Sequence, residues 1–374
     1  MKILADENIP YVRDAFGTLG EVSVLSGRAM SRGNTRDTDI LLVRSITKVN
    51  DGLLAESRVK FVATATIGID HVDTSYLESR GIGFASAQGS NSNSVAEYVT
   101  AALLTLASRG KISPCSLTLG IVGVGNVGSK VAAKARAMGF NVLQNDPPLR
   151  RKTGSREFVP LDDLMEADVI TLHVPLTREG QDRTFRFFDG KRMDMMKPGS
   201  ILINSSRGQV VHGDALKEAL SKGHLGGAVL DVWENEPSID AELLEKADIA
   251  TPHIAGYSFD GKVNGTEMIY DAACGYFGME KKWRKKMPEP EIRDLKAESG
   301  GFDALRNTVK AVYDIEKDDC DLKKLAGLPE GSRGKYFDSL RRNYRRRREF
   351  FNTSVSCKNR ETSAILEGLG FRVL

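Results

Sequence analysis

Cysteine is scarce in this chain. Its four cysteines in 374 residues, Cys115, Cys274, Cys320 and Cys357, lie more than thirty positions apart. No C-x-x-C pair occurs, so a zinc ribbon or thioredoxin-like site has no support and no metal is expected. Such sparse use fits a reducing compartment. Long apolar runs are missing too, and nothing approaches the ~18 uninterrupted apolar residues of a membrane helix. Asp6 and Glu7 interrupt the opening residues before any stretch of signal-peptide length forms. Net charge is nearly absent: 53 Lys and Arg against 50 Asp and Glu leave a formal +3. That balance argues against a surface built as a whole for nucleic acid or acidic membrane. There is no internal repeat and no low-complexity tract. The expectation is a soluble, cytoplasmic protein of two or three domains.

What is present is an alternation of short apolar runs with helix-compatible stretches. Lys2–Leu4, Val22–Leu25, Ile40–Val43, Phe61–Thr64 and Ile82–Ala85 read as buried strands, with helices such as Pro10–Leu19 and Thr74–Arg80 between them. After a polar break at Asn91–Ser94 and a helix over Val95–Ala107, a second series follows: Leu117–Val122, Asn141–Asn145, Val169–His173, Ser200–Asn204, Gly227–Leu230 and Ile249–Ala250. Strands separated by helical crossovers predict an α/β fold, and six of them match a doubly wound parallel sheet. A helix is predicted from Gly261 to about Trp283, then a Lys/Pro/Glu linker from Lys285. The expected divisions are 1–92, 93–255, 256–286 and 287–374.

Gly123-Val-Gly125-Asn126-Val127-Gly128 is a G-x-G-x-x-G between an apolar strand and a helix. Asp146 closes the next strand, eighteen residues past Gly128. In a dinucleotide site Gly123 allows the tight turn, Gly125 the approach of a pyrophosphate, and Gly128 close helix–strand packing. Asp146 would accept from ribose hydroxyls and repel a 2′-phosphate, favouring NAD over NADP. Taken alone, the turn also fits an ordinary strand–turn–helix.

Three charged residues stand at or beyond later strand ends, where ligands of open α/β sheets bind. Arg207 lies in Asn204-Ser205-Ser206-Arg207-Gly208, Glu236 follows Leu230-Asp231-Val232-Trp233, and His253 lies in Thr251-Pro252-His253. This ordered set resembles the D-2-hydroxyacid dehydrogenase family. Ala63–Asp73 is similar to that family's substrate-domain loop, and Gly89–Glu97 to its hinge. The resemblance implies an NAD-dependent enzyme with His253 as general acid/base, Glu236 orienting it, and Arg207 holding the substrate carboxylate. The chemistry suits these residue types: imidazole titrates near working pH, and a guanidinium grips a carboxylate with two parallel bonds.

The same resemblance implies NAD contacts from Asn126, Val127, Val174 through its backbone, Ser205, Ser206, Asp231 and Gly256. It also implies substrate contacts from Arg44, Ser45, Thr66 and Tyr257. His71, His173, His212 and His224 are read as structural. Val43–Val49, His253–Tyr257 and the tail after residue 286 resemble a branch acting on a small phosphorylated 2-hydroxy acid. That branch implies a doubly wound NAD domain inserted in a smaller flavodoxin-like substrate domain, and a C-terminal α/β domain joining a homodimer. Gln88 departs from a usual proline, and Ser205-Ser206 from a common cysteine. Arg341–Arg348, six arginines in eight residues, reads as a solvated surface, with a partner's substrate phosphate as the other possibility. Competing readings are a dehydrogenase for another 2-hydroxy acid, an NAD-sensing scaffold, and, least favoured, a nucleic-acid binder.

Overall fold

Aliphatic runs of four or five residues form strands with both faces covered, which only parallel sheets between helices require. The protein, here a computed structural model, is described over residues 1–297 and 300–374. It divides into two compact units, residues 1–91 with 258–288, and residues 92–257 with 289–374.

The first unit is built on β1 (Lys2–Asp6), β2 (Glu21–Leu25), β3 (Ile40–Val43), β4 (Phe61–Thr64) and β5 (Gly83–Ser86). They pair in parallel in the order β2-β1-β3-β4-β5. The helix Phe259–Phe277 buries Ile269, Tyr270, Ala273 and Cys274 against Phe16 and Phe61. It ends at Gly278, whose φ of 63° supplies the left-handed cap, so it stops short of the predicted Trp283.

The second unit carries β6 (Thr118–Val122), β7 (Asn141–Asn145), β8 (Val169–Leu172), β9 (Ile201–Asn204), β10 (Gly227–Leu230) and β11 (Ile249–Ala250). All pairings are parallel, in the order β11-β10-β9-β8-β6-β7. The chain turns from β6 to β7 on one side and then to β8 on the other, which makes the β6/β8 boundary the topological switch point. The C-terminal segment adds a small parallel sheet, β12 (Asp294–Ala297), β13 (Ser354–Cys357) and β14 (Arg372–Val373), in that order.

Helix Ser92–Ser108 explains why this tail belongs to the second unit. Fourteen of its seventeen residues are buried, so it must be covered on more than one side. One side is the β6–β11 sheet. The other receives Leu305, Val309, Tyr313 and Phe350 from the tail, all in the same apolar cluster.

The arginine run is not a solvated helix. The helix Glu330–Arg342 stops after two of its arginines, and the chain then passes inward. Arg347 and Arg348 are only 3% and 7% exposed. Arg347 Nη2 donates to the carbonyls of Ser94 (3.0 Å) and Ala255 (3.1 Å), and its ring partner is Tyr313, 4.1 Å from guanidinium to centroid. Arg345 pairs with Asp318. The solvated reading holds for Arg342 and Arg346, which are exposed, and fails for Arg345, Arg347 and Arg348, because the fold delivers acceptors that a local pattern does not contain.

Two carboxylates share this buried region. Asn93 donates to Glu97 Oε1 at 2.9 Å and to Glu349 Oε2 at 2.7 Å, and the Phe350 N–H donates to Glu97 Oε1 at 2.8 Å. Burial, reinforced by Glu349, pushes the Glu97 carboxyl up to about 8 despite Lys134 and Arg347 nearby. Unfolded glutamate titrates near ~4.3. Between those values the folded chain binds the extra proton, so this group's contribution to stability falls as pH rises through the window. Glu97→Gln cannot ionise. It is expected to lose less stability between about pH 5 and about pH 9 than the parent protein. Urea midpoints at both pH values check this, and equal losses in both proteins would contradict it.

Candidate active site

The glycine turn sits at the carboxyl end of β6, beside the switch point. Gly123 has φ 85°, and a Cβ there would lie 2.7 Å from the His173 carbonyl and 2.9 Å from Val174. Gly128 opens the helix Gly128–Ala137, and a Cβ on it would fall 2.0 Å from the Gly123 carbonyl oxygen. Neither position accepts a side chain. Gly125 differs: nothing lies within 4 Å of its Cβ position, and Gly125 and Asn126 are exposed. The turn is closed from within and open where a pyrophosphate would lie, which fits a dinucleotide. Asp146, just past β7, accepts from the N–H groups of Val124 (2.8 Å) and Leu149 (2.9 Å). It ties the turn to the following helix and keeps lone pairs on both oxygens.

Arg207 follows β9. Asn204, 1% exposed, donates to the Arg207 carbonyl (3.0 Å) and accepts from the Ser206 hydroxyl (2.8 Å). The arginine is thereby held in a fixed corner, half-buried, with Nη1 donating to the Ser206 carbonyl at 2.8 Å. Gly208 must be glycine, because a Cβ would lie 2.0 Å from the backbone of Trp233. The Ser205 hydroxyl is buried without a hydrogen-bond partner, beside the edge where Val174 and the glycine turn emerge.

Glu236 and His253 come from the loops after β10 and β11. His253 Nδ1 lies 2.8 Å from Glu236 Oε2, and the Trp233 N–H donates to Glu236 Oε1 at 2.9 Å. Burial disfavours the ionised Glu236, yet His253 and these hydrogen bonds hold its carboxyl below the ordinary range. Glu236 therefore stays ionised at neutral pH, and His253 Nδ1 carries the shared proton. That leaves Nε2 to exchange a proton with a ligand. His253 has φ 57° and Asn235 has φ 60°, left-handed conformations that are uncommon outside glycine and cluster at functional sites.

Asp231 supplies what keeps that strained corner in place. Its carboxylate, 1% exposed, accepts from the Thr251 hydroxyl (2.6 Å), the Ile254 N–H (2.8 Å) and the Ala255 N–H (3.0 Å). Its carbonyl accepts from the His253 N–H at 2.7 Å. Tyr98 continues the chain through Thr251 at 2.9 Å. Sequence reasoning placed Asp231 at the cofactor but missed this task, whose only signal was an acid in a buried strand-end segment.

The remaining residues fall as follows. Arg44 and Ser45 follow β3 and Thr66 follows β4, adjacent strands of the first unit. Val127 precedes the glycine-turn helix, and Gly256 and Tyr257 follow His253. His71, His173, His212 and His224 have internal partners: Thr64, Thr171, the Ala215 N–H and the Met193 carbonyl, respectively. Burial lowers His173 to about 3. Among the described residues no group of three or more His, Cys, Asp or Glu is placed to hold a metal. Nor is any helix there long and apolar enough to cross a membrane.

Residues 107–255 match the D-isomer specific 2-hydroxyacid dehydrogenase, NAD binding domain, and residues 287–370 match a Domain of unknown function (DUF3410). Over its full length the chain is 44% identical to proteins named erythronate-4-phosphate dehydrogenase from Escherichia coli O1:K1 and Shigella boydii serotype 4, covering 99% of each. The chain belongs to the erythronate-4-phosphate dehydrogenase family. Solved structures agree. The D-lactate dehydrogenase of Aquifex aeolicus, complexed with NAD and lactic acid, matches with TM-score 0.64 at 27% identity, over 74% of this chain and 96% of that one. The NAD-dependent formate dehydrogenase of Staphylococcus aureus, in complex with NAD, gives 0.62 at 25% identity over 74% and 96%. The second unit thus contains the NAD-binding domain of this family.

Glu236 receives one donor on each oxygen, and an amide cannot serve both. In Glu236→Gln either Trp233 N–H or His253 Nδ1–H meets an NH2 group. Turnover should fall on the order of 10²-fold or more, with NAD affinity within about twofold of the parent. Steady-state rates beside NAD fluorescence titration check this; a loss of NAD binding instead would contradict it.

Proposed function

We propose that this protein oxidises 4-phospho-D-erythronate at C2 to 3-hydroxy-2-oxo-4-phosphooxybutanoate, with reduction of NAD, in pyridoxal 5′-phosphate (vitamin B6) biosynthesis. The observation that carries the reading is the 2.8 Å His253–Glu236 pair one strand from Arg207, in a chain 44% identical from end to end to proteins of that name. Arg207 holds the substrate carboxylate through paired N–H donors and draws electron density from the C2 oxygen. His253 Nε2 takes the C2 hydroxyl proton, and Glu236 stabilises the imidazolium that results. Bound NAD supplies the acceptor for the C2 hydride, so proton and hydride leave together and a carbonyl remains.

The NAD contacts are assigned to Gly123, Gly125, Asn126, Val127, Gly128, Asp146, Val174, Ser205, Ser206, Asp231 and Gly256. Arg44, Ser45, Thr66 and Tyr257 are assigned to the substrate, Arg44 as the cation for its phosphate. Residues 1–92 with 256–286 serve as the substrate domain, 93–255 as the NAD domain and 287–374 as the dimerisation domain of a cytoplasmic homodimer. Arg347 is a structural cation in this reading, since it is buried in the fold and its Nη2 donates to Ser94 and Ala255.

Nicotinamide absorbance during turnover tests the proposal, with erythronate 4-phosphate, 3-phosphoglycerate and D-glycerate compared and a 2-keto acid added to reoxidise retained NADH. Turnover is expected with erythronate 4-phosphate, with NAD preferred to NADP, and a fall of about 10²- to 10⁴-fold in His253→Ala. Hydride transfer with none of the three despite bound NAD would overturn it and favour a binding scaffold.

A further inference from the structure

The domain of unknown function reaches the catalytic pair through one helix. Glu330–Arg342 lies along the residues that follow Glu236, and a Cβ on Gly334 would stand 3.4 Å from Pro237 and 3.7 Å from Ser238. Phe337, fully buried, fixes the helix in the cluster that contains Trp233, Leu243 and Leu325. This seating carries Arg341 over Tyr257, with its guanidinium 5.8 Å from that ring centroid and 5.9 Å from that of Phe337. Arg341 donates to the Tyr257 hydroxyl. Tyr344 closes the other side, edge-on to Tyr257 at 5.9 Å, its own hydroxyl donating to Asp318 at 2.8 Å. The Arg341 Nε is buried with no hydrogen-bond partner. A cation desolvated this far is costly unless a nearby negative charge offsets it.

We propose that Arg341 is a positioning residue for the active site, through which the C-terminal segment of the same chain holds Tyr257 and sets the charge around Glu236 and His253. Trp233 and His253 are the donors seen on the Glu236 oxygens, and Arg341 acts on Glu236 through its field. Among the described residues, Arg341 acts on Glu236 from the helix and Asp231 acts on His253 from beneath its loop, while Tyr257 and Asp338 face Arg341 itself. Against the cost of burial, Arg341 is one of the groups that hold the Glu236 carboxyl down. Without it, the pair binds a proton more readily. Oxidation needs the proton-accepting form of His253, so the acid limb of the rate profile then moves to higher pH.

The inference rests on the proposed function for its kinetic arm only. In the full-length protein saturated with NAD, the Glu236 carboxyl is followed by ¹³C NMR and assigned with Glu236→Gln. Its midpoint should rise in Arg341→Met and return towards the parent value in Arg341→Lys. With erythronate 4-phosphate, Arg341→Met should show the acid limb of kcat/KM moved upward and kcat/KM at neutral pH lowered about 10- to 100-fold. Arg341→Lys should restore the limb while keeping a raised KM, because an ammonium cannot copy the guanidinium's hold on Tyr257. If the methionine variant does not fold, Arg341→Gln removes the charge while keeping a donor, and the same upward shifts are required of it. A Glu236 midpoint and acid limb equal to the parent's, whatever happens to KM or melting temperature, would overturn the inference. A raised Glu236 midpoint in a protein that does not oxidise erythronate 4-phosphate would uphold it and count against the proposed function.

Discussion

The Asp231 carboxylate is the interaction on which the corner holding His253 depends. Burial pushes its carboxyl up, and His253, Thr251 and two backbone N–H groups oppose that. With those donors around it the group behaves as a built-in acceptor rather than a surface charge. It fixes Thr251, Ile254 and Ala255 at once, and only with both flanks fixed can His253 occupy a left-handed backbone conformation. The position of Nδ1 against Glu236 follows from that. Trp233 then joins the two loops, donating its indole N–H to the Thr251 carbonyl at 3.0 Å while its backbone blocks any side chain at Gly208. Arg207, Glu236 and His253 are thus parts of one braced structure.

The tail reinforces the same corner from the opposite direction. Ala255, whose N–H is held by Asp231, offers its carbonyl both to the Ser94 hydroxyl at 2.8 Å and to Arg347. One residue after the histidine loop is therefore clamped at its donor and its acceptor, by an acid from β10's end and an arginine from the C-terminal segment. Buried charges of this kind contribute little net stability when intact and cost much when one partner is lost. Their effect here is to make the loop's geometry depend on residues 330–350. The shorter structural relatives cover about three-quarters of this chain and nearly all of themselves, so they match it without needing such a tail.

Much of this was legible in the sequence, for identifiable reasons. Parallel strands buried on both faces appear as apolar runs, so β3, β4, β10 and β11 were read with their observed bounds, while β7, polar at both ends, was bounded by Gly139 and Asp146. Other strand edges moved by a residue or two: Asp6 and Glu21 extend β1 and β2, while β6, β8 and β9 are one residue shorter than expected. The glycine turn was legible because each glycine there answers a local steric demand. Arg207, Glu236 and His253 were picked out by ordered motifs, and they lie in the loops after β9, β10 and β11. The arginine run was misread at its buried members, Arg347 and Arg348. Six like residues carry no local mark to separate Arg347, which meets carbonyls at Ser94 and Ala255, from Arg341, which meets Tyr257. The partners lie up to 253 positions away, and only the packing of the tail on helix Ser92–Ser108 brings them together. Asp231's role was hidden likewise, since its partners are backbone N–H groups of a distant loop.

In the proposed reaction a fixed His253, held through Asp231 and paired with Glu236, performs the proton transfer. Asp231→Asn tests it most directly. The side chain keeps its shape, but its NH2 faces an N–H donor of the loop, so the clamp on residues 254–255 is broken. Turnover at saturating NAD, measured on folded protein, should fall about 10²-fold. A turnover number within about twofold of the parent would contradict the account.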